Sequence, residues 1–316
     1  MPIRSATAAD HAVDARVAVR RDVLVALAAR VGRVHAGRMP VAADAAAGPH
    51  ASHRRGRGMD YLESRAYQAG DDVRHLDWRL TARRGHLHTK VFAEEHEHRV
   101  LLLVDTHASM RFGTRERFKS VQAARAAALA AWLVARTGGR VGIAAFGPCQ
   151  DSTRAAPGRH GALAVCAALE RFDAAAASCS DRHEPLSQAM RRMEPLLRGV
   201  GQVLLISDGR SVDAAAQPLL AAWRRRRRLT TLLVTDALEA APPRAGHFAF
   251  AWGGRKARLD LDAAPVRAGF VAAMQAPAQH AEQLCRAAAV ACARVDTRAD
   301  PLDSVMTLLR LRGGAA

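Results

Sequence analysis

The stretch Arg99–Asp105, with the sequence RVLLLVD, is a continuous apolar run that ends in a carboxylate. Such a run is typical of a strand covered on both faces, because a strand with one wet face alternates apolar and polar residues. Similar runs recur downstream, as VGIAAF over residues 141–146, QVLLIS over 202–207 and TTLLVT over 230–235. The sequence therefore predicts four buried strands.

Segments with helical spacing of apolar residues or a high alanine content separate these strands. Strands that alternate with helices predict a doubly wound, mainly parallel α/β sheet with helices on both faces. Residues 246–252 and 256–261 flank two glycines, which indicates a hairpin within the same domain, residues 99–316. The helices are expected over residues 115–136, 161–172, 184–197, 214–228, 265–293 and 301–311.

The first 98 residues have a different pattern. Apolar residues at helical spacing predict an opening helix over residues 10–34, and a flexible linker rich in Gly, Ala and His follows it. Residues 56–97 then interleave charged side chains with aromatic ones. Charges beside aromatic rings need partners that offset their desolvation, so we predict paired Arg and Asp groups around Trp78. We expect residues 1–98 to pack on the domain formed by residues 99–316.

The composition bounds the class of protein. Of 316 residues, 47 are Lys or Arg and 30 are Asp or Glu, a formal net charge of +17 with His neutral. A hydrophobic content of 49% excludes a mostly disordered or collagen-like chain. No run approaches the ~20 apolar residues of a membrane-spanning helix, and the N-terminus lacks the apolar stretch of a signal peptide. We expect a cytoplasmic protein whose five scattered cysteines are reduced.

Polar motifs follow two of the predicted strands. Asp105-Thr-His-Ala-Ser109 follows the first, and Ser207-Asp208-Gly209 follows the third. Ligand-binding groups of parallel sheets lie at the carboxyl ends of the strands. Both motifs resemble the loops of a von Willebrand factor A domain. This resemblance implies a metal-ion-dependent adhesion site, in which oxygen ligands hold a divalent cation, usually magnesium.

The sequence departs from the A-domain pattern at two positions. His107 replaces a serine of the pattern, and magnesium disfavours an imidazole ligand, while the threonine of the pattern falls by spacing on Glu184. One interpretation is a modified site that suits manganese or zinc. The other, which we favour, is a metal-free polar rim in which His107 pairs with a neighbouring Asp, because a metal site needs its full ligand set. The residues concerned, called the rim residues below, are Asp105, His107, Ser109, Glu184 and Asp208.

A longer match lies upstream of the first strand. The block YQAGDDVRHLDWRLTARRGHLHTKVFAEEHEH resembles the signature of the bacterial domain-of-unknown-function 58 family, in which these residue types recur at fixed spacing before an A-type domain. This signature segment is either a partner surface or a brace that fixes residues 56–97 on the A-type sheet through Arg–carboxylate pairs, and we favour the brace. The residues that match the signature are Tyr67, Gly70, Asp71, Asp72, Arg74, Asp77, Trp78 and Arg83.

The family resemblance also implies a function. Members are commonly encoded beside MoxR-type AAA+ ATPases and are thought to act as their adaptors. This predicts a non-catalytic protein-interaction module in protein maturation or complex assembly, and the sequence does not name the client protein. The chain has no GxxxxGK[ST] phosphate loop, no GxSxG elbow and no HExxH helix, so the familiar hydrolase chemistries lack their parts.

Two other functions remain open. Residues 224–228 are five consecutive arginines, which favours a basic nucleic-acid-associated protein, since basic groups bind phosphates. A solvated surface in an arginine-rich chain explains the same run, and only 4% of the residues are aromatic and able to stack on bases. The rim residues could alternatively serve a metal-dependent enzyme of unknown reaction.

Overall fold

The computed structural model describes residues 15–33, 59–94, 98–179, 183–240, 243, 245–252 and 255–309. The chain forms two compact units. Residues 1–40 and 98–316 form the sheet unit, and residues 41–97 form the hairpin unit. The expected packing of residues 56–97 on the A-type sheet stays a prediction. None of the described helices has both the length and the apolar character that crossing a bilayer requires.

Strands and helices alternate along most of the chain. Three short 3-10 turns lie at Val73–His75, Ala108–Met110 and Glu194–Leu197. The other elements, in chain order, are α1 (Arg21–Ala26), α2 (Ala28–Gly32), β1 (Met59–Ala66), α3 (Trp78–Arg84), β2 (His88–Glu94), β3 (Arg99–Asp105), α4 (Lys119–Arg136), β4 (Arg140–Phe146), β5 (Ser152–Pro157), α5 (Gly158–Ser178), α6 (Leu186–Met193), β6 (Gln202–Ser207), α7 (Ala216–Arg226), β7 (Arg228–Thr235), α8 (Ala237–Ala240), β8 (His247–Trp252), β9 (Arg255–Asp260), α9 (Ala264–Ala287), β10 (Ala291–Asp296) and α10 (Leu302–Leu309).

The sheet unit is built on six strands in the order β10-β7-β6-β3-β4-β5. Four of the five pairings are parallel, and β5 pairs antiparallel with β4. The four predicted strands are β3, β4, β6 and β7, which occupy the centre of this sheet. The predicted class, a doubly wound and mainly parallel α/β sheet, is confirmed.

Both faces of the central strands are covered by helices. In β3, Val100, Leu102 and Val104 join the core on the side of α4, α5 and α10. Leu101 and Leu103 join the core on the side of α6, α7 and α9. Successive side chains of a strand point to opposite faces, so a strand buried on both faces needs an apolar residue at every position. This explains the uninterrupted run RVLLLV.

The N-terminal helices pack on α4, which is buried along most of its length. Trp132 Nε1 donates to the backbone oxygen of Leu24 at 3.1 Å, and Arg136 Nη1 donates to that of Val31 at 2.7 Å. The prediction of one continuous helix over residues 10–34 is wrong within residues 15–33, because the backbone at Arg20 is extended and Leu27 separates α1 from α2. Residues 10–14 and 34 lie outside the described residues.

The C-terminal region differs from the prediction at one helix end. The helix expected over residues 265–293 ends at Ala287, and its last residues belong to β10. Ala289 adopts the left-handed conformation at φ +53°, and the N–H of Val290 donates to the oxygen of Cys285 at 2.7 Å. Helices usually end in this way at a glycine, so the sequence lacked the usual stop signal. The predicted hairpin is confirmed as β8 and β9.

Candidate functional site

The rim residues lie at the carboxyl ends of the parallel strands. Asp105 ends β3, Asp208 follows β6 and Asp236 follows β7. These three strands are neighbours in the sheet, so their carboxyl ends meet at one edge. All five rim residues are buried, and none has more than 7% of its surface exposed.

Asp105 accepts four hydrogen bonds. Its Oδ1 accepts the backbone N–H of His107 at 2.9 Å and the Nδ1–H of the same residue at 2.6 Å. Its Oδ2 accepts the hydroxyls of Ser207 at 2.6 Å and Ser211 at 3.0 Å. Two carboxylate oxygens offer about four lone-pair positions, so this carboxylate is saturated by donors of its own chain.

His107 is fixed by bonds at both ring nitrogens. Its Nε2 accepts the backbone N–H of Glu184 at 3.0 Å. A nitrogen that accepts an N–H carries no proton, so the ring is neutral and its proton lies on Nδ1, facing Asp105. The ring lies against Gly147, where a Cβ would come within 2.9 Å of Nδ1 and where φ is +101°. Glycine is therefore required beside this imidazole.

Glu184 is held by an arginine and a backbone amide. Arg192 donates from Nε to Oε1 at 2.9 Å and from Nη2 to Oε2 at 3.1 Å, which is a bidentate pair. The N–H of Gly147 donates to Oε2 at 2.8 Å. Both oxygens of this buried carboxylate are thus bonded within the protein.

Lys119, the first residue of α4, provides a buried cation at the rim. Its side chain is 1% exposed, and its Nζ donates to Asp208 Oδ2 and Glu239 Oε1, both at 2.8 Å. Arg210 lies farther from the same carboxylates, 3.7 Å from Asp208 Oδ2 and 3.5 Å from Glu239 Oε1. An ammonium therefore neutralises the carboxylate that the A-domain resemblance assigns to a metal.

The pKa of Asp208 lies below its ordinary value. Burial by itself raises the pKa of this carboxyl, but the charge and hydrogen bond of Lys119 and the N–H of Arg210, at 3.0 Å, outweigh burial. The nearby hydroxyl of Ser109 also favours the carboxylate, although its Oγ forms no hydrogen bond of normal geometry with any described residue.

The donor set does not fit a divalent cation. Such an ion needs several oxygen or nitrogen atoms with free lone pairs that converge on one point. Asp105 is saturated, the Nε2 lone pair of His107 accepts an N–H, and Glu184 and Asp208 hold an arginine and a lysine. Of the predicted ligands, only Ser109 keeps an oxygen without a bond to a described residue.

In the hairpin unit, Asp77 organises the signature segment. Its Oδ1 accepts the N–H of Leu80 at 3.0 Å, which caps the N-terminus of α3, and its Oδ2 accepts the hydroxyl of Ser64 on β1 at 2.7 Å. These bonds lower the pKa of Asp77, the Leu80 bond most. The N–H of Tyr67 donates to the oxygen of Leu87 at 2.9 Å, next to the pairing of β1 with β2.

Three further signature residues form the turn between β1 and α3. Gly70 has φ +111°, a conformation that favours glycine. Arg65 Nη2 donates to Asp71 Oδ1 at 2.7 Å, and the N–H of Gln68 donates to Asp71 Oδ2 at 2.9 Å. The Arg65 bond is the largest cause of the lowered pKa of Asp71. Asp72 caps the 3-10 turn through the N–H of Arg74, at 2.9 Å.

The remaining signature side chains point to solvent. Trp78 is 67% exposed, and Arg74 and Arg83 are exposed as well. The predicted Arg–Asp pairing occurs in this segment as Arg65 with Asp71, but among the described residues it does not occur at Asp77, next to Trp78. The reason is local, because Asp77 is committed to the cap of α3, and the arginine that pairs with an aspartate in the described part of this unit is Arg65.

Comparison with protein families identifies the chain. The family described as "Protein of unknown function DUF58" matches residues 63–281, which is more than half of the sequence. The chain belongs to the DUF58 family. The matched region contains the signature residues and all five rim residues, together with Lys119.

Relatives of this DUF58 protein share about half of its length. It is 34% identical over 162 residues to the uncharacterized protein Rv1480 of Mycobacterium tuberculosis, a match that covers 51% of this chain and 50% of the relative. The chain therefore spans about half the length of the curated relatives it matches. Its fold is similar to the conserved hypothetical protein BatB of Bacteroides thetaiotaomicron, with TM-score 0.42 and 13% identity over 67% of this chain and 97% of that one. It is also similar to a von Willebrand factor type A protein of Catenulispora acidiphila, with TM-score 0.39 and 10% identity. That match covers 71% of this chain and 43% of the other.

Several rim partners of this DUF58 protein were missed from the sequence. Ser207 precedes Asp208 directly, and Glu239 follows Asp236 at the end of the next strand, so both occupy strand ends that the pattern could have indicated. Lys119 also carried a signal, since the chain has only three lysines and arginine supplies its other basic residues. Arg192, on α6, carried none, because an arginine on an amphipathic helix is ordinarily solvated.

Substitution of Asp77 should destabilise the hairpin unit through the α3 cap. In Asp77→Ala, the N–H of Leu80 loses its acceptor, and hydrogen exchange at this amide should become faster. Asp77→Asn keeps an acceptor oxygen and should exchange nearly as the wild type does. Because the folded pKa is lowered, the contribution is complete above the ordinary carboxyl pKa and is lost as the pH falls through the folded value. Equal exchange in both variants would refute the cap.

Proposed function

We propose that the protein is a non-catalytic interaction module that acts in the cytoplasm as an adaptor of a MoxR-type AAA+ ATPase, in protein maturation or complex assembly. The observation that supports a non-catalytic role is that the carboxylates and the imidazole of the rim are buried and bonded to one another or to other residues of the chain. A general base or a nucleophile needs a free position toward its substrate, whereas the rim carboxylates and the imidazole are buried and bonded within the chain. The ATPase partner rests on the family resemblance.

The space beside the rim also favours this proposal. The cavity that Asp105 helps to line has a volume of about 20 Å³ and is otherwise bounded mainly by apolar side chains such as Val104 and Phe172. Sites for small molecules usually measure about 300–1,000 Å³. In this proposal the rim functions without a divalent metal, because Lys119 already supplies the positive charge at Asp208. A metal-dependent enzyme would need the donors that these bonds occupy.

Capture from the native host tests the proposal. The tagged full chain is incubated with nuclease-treated lysate at near-physiological salt, with magnesium in one sample and a chelator in the other, and the bound proteins are identified by mass spectrometry. We expect a AAA+ ATPase in both samples. The reason is that the carboxylates and the imidazole of the rim are held by hydrogen bonds and ion pairs within the chain, and none of these bonds requires a divalent ion. Because an ATPase binds its nucleotide together with magnesium, a third sample contains magnesium but no nucleotide. Recovery of the ATPase from this sample but not from the sample with chelator would contradict the metal-free rim. Absence of any AAA+ protein would contradict the adaptor role.

A nucleic-acid-associated role is the second candidate. Arg224, Arg225 and Arg226 at the end of α7 are exposed and form no ion pair with the described residues. Phosphate contacts weaken steeply with salt because bound counterions are released. Binding of duplex DNA that persists at about 0.2 M salt, together with loss of protein partners, would favour this candidate over the adaptor.

A further inference from the structure

The hairpin unit exposes large apolar side chains in one short stretch. Val73 is 61% exposed, Trp78 67% and Leu87 45%. These three belong to the six large apolar side chains that are most exposed among the described residues, and all three lie within residues 73–87. Single exposed apolar residues are ordinary on protein surfaces, whereas contiguous exposed apolar patches mark contact sites.

Backbone bonds join the two segments that carry Trp78 and Leu87. The N–H of Asp77 donates to the oxygen of His88 at 2.8 Å, and the N–H of His88 donates to Thr81 Oγ1 at 3.0 Å. Trp78 and Leu87 each adjoin one member of the bonded pair Asp77 and His88. α3 is thereby fixed beside the start of β2, so that these two side chains extend from adjacent backbone positions.

The surroundings of Trp78 carry unneutralised positive charge. Arg74, Arg79, Arg83 and Arg84 are exposed, and none forms an ion pair with the described residues. Arg79 and Arg83 are four residues apart on α3 and therefore share a face. The nearby carboxylates act inside the segment, where Asp77 caps α3. The surface thus offers a tryptophan, two aliphatic side chains and several guanidinium groups that no described carboxylate pairs with.

We propose that Val73, Trp78 and Leu87, with the arginines around them, form the docking surface for an acidic protein segment that presents apolar side chains between Asp or Glu residues. The proposal rests on the interaction function above and names its surface. Tryptophan and arginine dominate the energetics of protein interfaces, and carboxylates pair with guanidinium groups in bidentate geometry. The signature carboxylates build the scaffold, and Arg74, Trp78 and Arg83 provide contacts.

A protein segment fits this surface better than a nucleic acid does. Single-stranded nucleic acids stack successive bases on aromatic rings, and this stretch exposes one tryptophan beside two aliphatic side chains.

Peptide selection tests the surface without a known partner. A random peptide library displayed on phage is selected on the full chain at near-physiological salt, and enriched peptides are synthesised for titration. We expect acidic peptides with apolar residues, whose affinity falls about 10-fold or more in Trp78→Ala and in the double variant Arg79→Glu, Arg83→Glu. Val266→Ala, at an apolar side chain of the sheet unit that is 39% exposed, is the matched control and should bind as the wild type does.

The outcomes separate the surface from the proposed function. Trp78→Ala with an unchanged melting temperature and weakened peptide binding supports the surface. A clearly lower melting temperature in Trp78→Ala supports the brace and overturns the surface, as does selection of peptides without acidic residues, or of none. Tighter binding of oligothymidylate than of any peptide also overturns it. Capture of the ATPase by both wild type and Trp78→Ala would support the adaptor function and contradict this docking surface. Selection of acidic peptides without capture of any ATPase would support the docking surface and contradict the adaptor function.

Discussion

A Lys119→Met variant should lose about 3–5 kcal/mol of its free energy of unfolding. The ammonium is 1% exposed and bonds Asp208 and Glu239, so its removal leaves two buried carboxylates without their direct cation. Methionine has a similar length and is apolar, so the change isolates the charge. Arg210 is too distant to replace the ammonium fully, at 3.5 Å and 3.7 Å from the two carboxylates. Chemical denaturation of wild type and variant measures the loss.

Two further variants show whether the unpaired charge is the cause. Lys256 is exposed, and Lys256→Met should change stability by less than about 0.5 kcal/mol. Adding Asp208→Asn and Glu239→Gln to Lys119→Met removes the two unpaired carboxylate charges. This should restore part of the lost free energy of unfolding, because whole buried ion pairs can be replaced at little cost. A single variant as stable as the wild type would contradict the buried pair.

The loss should also depend on pH. In the folded wild type, burial raises the pKa of Asp208 and Lys119 lowers it by more, so the pKa lies below that of the unfolded chain. The pair therefore contributes fully above the ordinary carboxyl pKa, and the contribution is lost as the pH falls through the folded value. In Lys119→Met the N–H of Arg210 still favours the carboxylate, but the main influence that opposes burial is lost, so the pKa of Asp208 rises above its wild-type value and the variant is destabilised most at neutral pH. The gap between wild type and variant should narrow toward acid pH.

The central sheet could be predicted because every interior position of its buried strands β3 and β6 is apolar. β3 and β6 are covered on both faces, so no polar residue interrupts them. The edge strands β5 and β10 lack such a run, since most of their residues are only partly buried or exposed. Alanine is abundant in β10 and favours helix, and the helix before it ends without a glycine. Local patterns therefore failed where tertiary pairing alone decides the structure.

The position of the candidate site could be predicted more fully than its chemistry. Strand order placed Asp105 and Asp208 at one edge, and the structure brings them there. What the sequence did not show is which donors reach each carboxylate. Lys119 reaches Asp208 from 89 residues away in the sequence, and Arg192 on α6 reaches Glu184, which lies before that helix, so no helical or strand spacing encodes either contact. Similarly, the signature carboxylates were expected to pair around Trp78, but short-range capping takes Asp77 instead.

An Asp105→Ala variant should be among the least stable single substitutions at the rim. It removes the acceptor of two fixed donors, the backbone N–H and the Nδ1–H of His107, and of two hydroxyls that can rotate toward other acceptors. An unsatisfied buried donor costs about 1–3 kcal/mol, so two fixed donors predict a loss of about 2–6 kcal/mol. Denaturation at neutral pH measures the loss. Asp22→Ala, at an exposed carboxylate on α1, is the control and should change stability little.

Asp105→Asn distinguishes a hydrogen-bonding role from a metal ligand. The amide oxygen can still accept both N–H groups of His107, and the amide nitrogen can donate to Ser207 or Ser211 after their hydroxyls rotate. A saturated polar rim therefore predicts that Asn costs less than half as much as Ala. It also predicts that manganese and magnesium change the melting temperature of wild type and Asp105→Asn equally. A metal centre predicts the opposite, because its cation would stabilise the wild type and would lose a charged ligand in Asn as completely as in Ala.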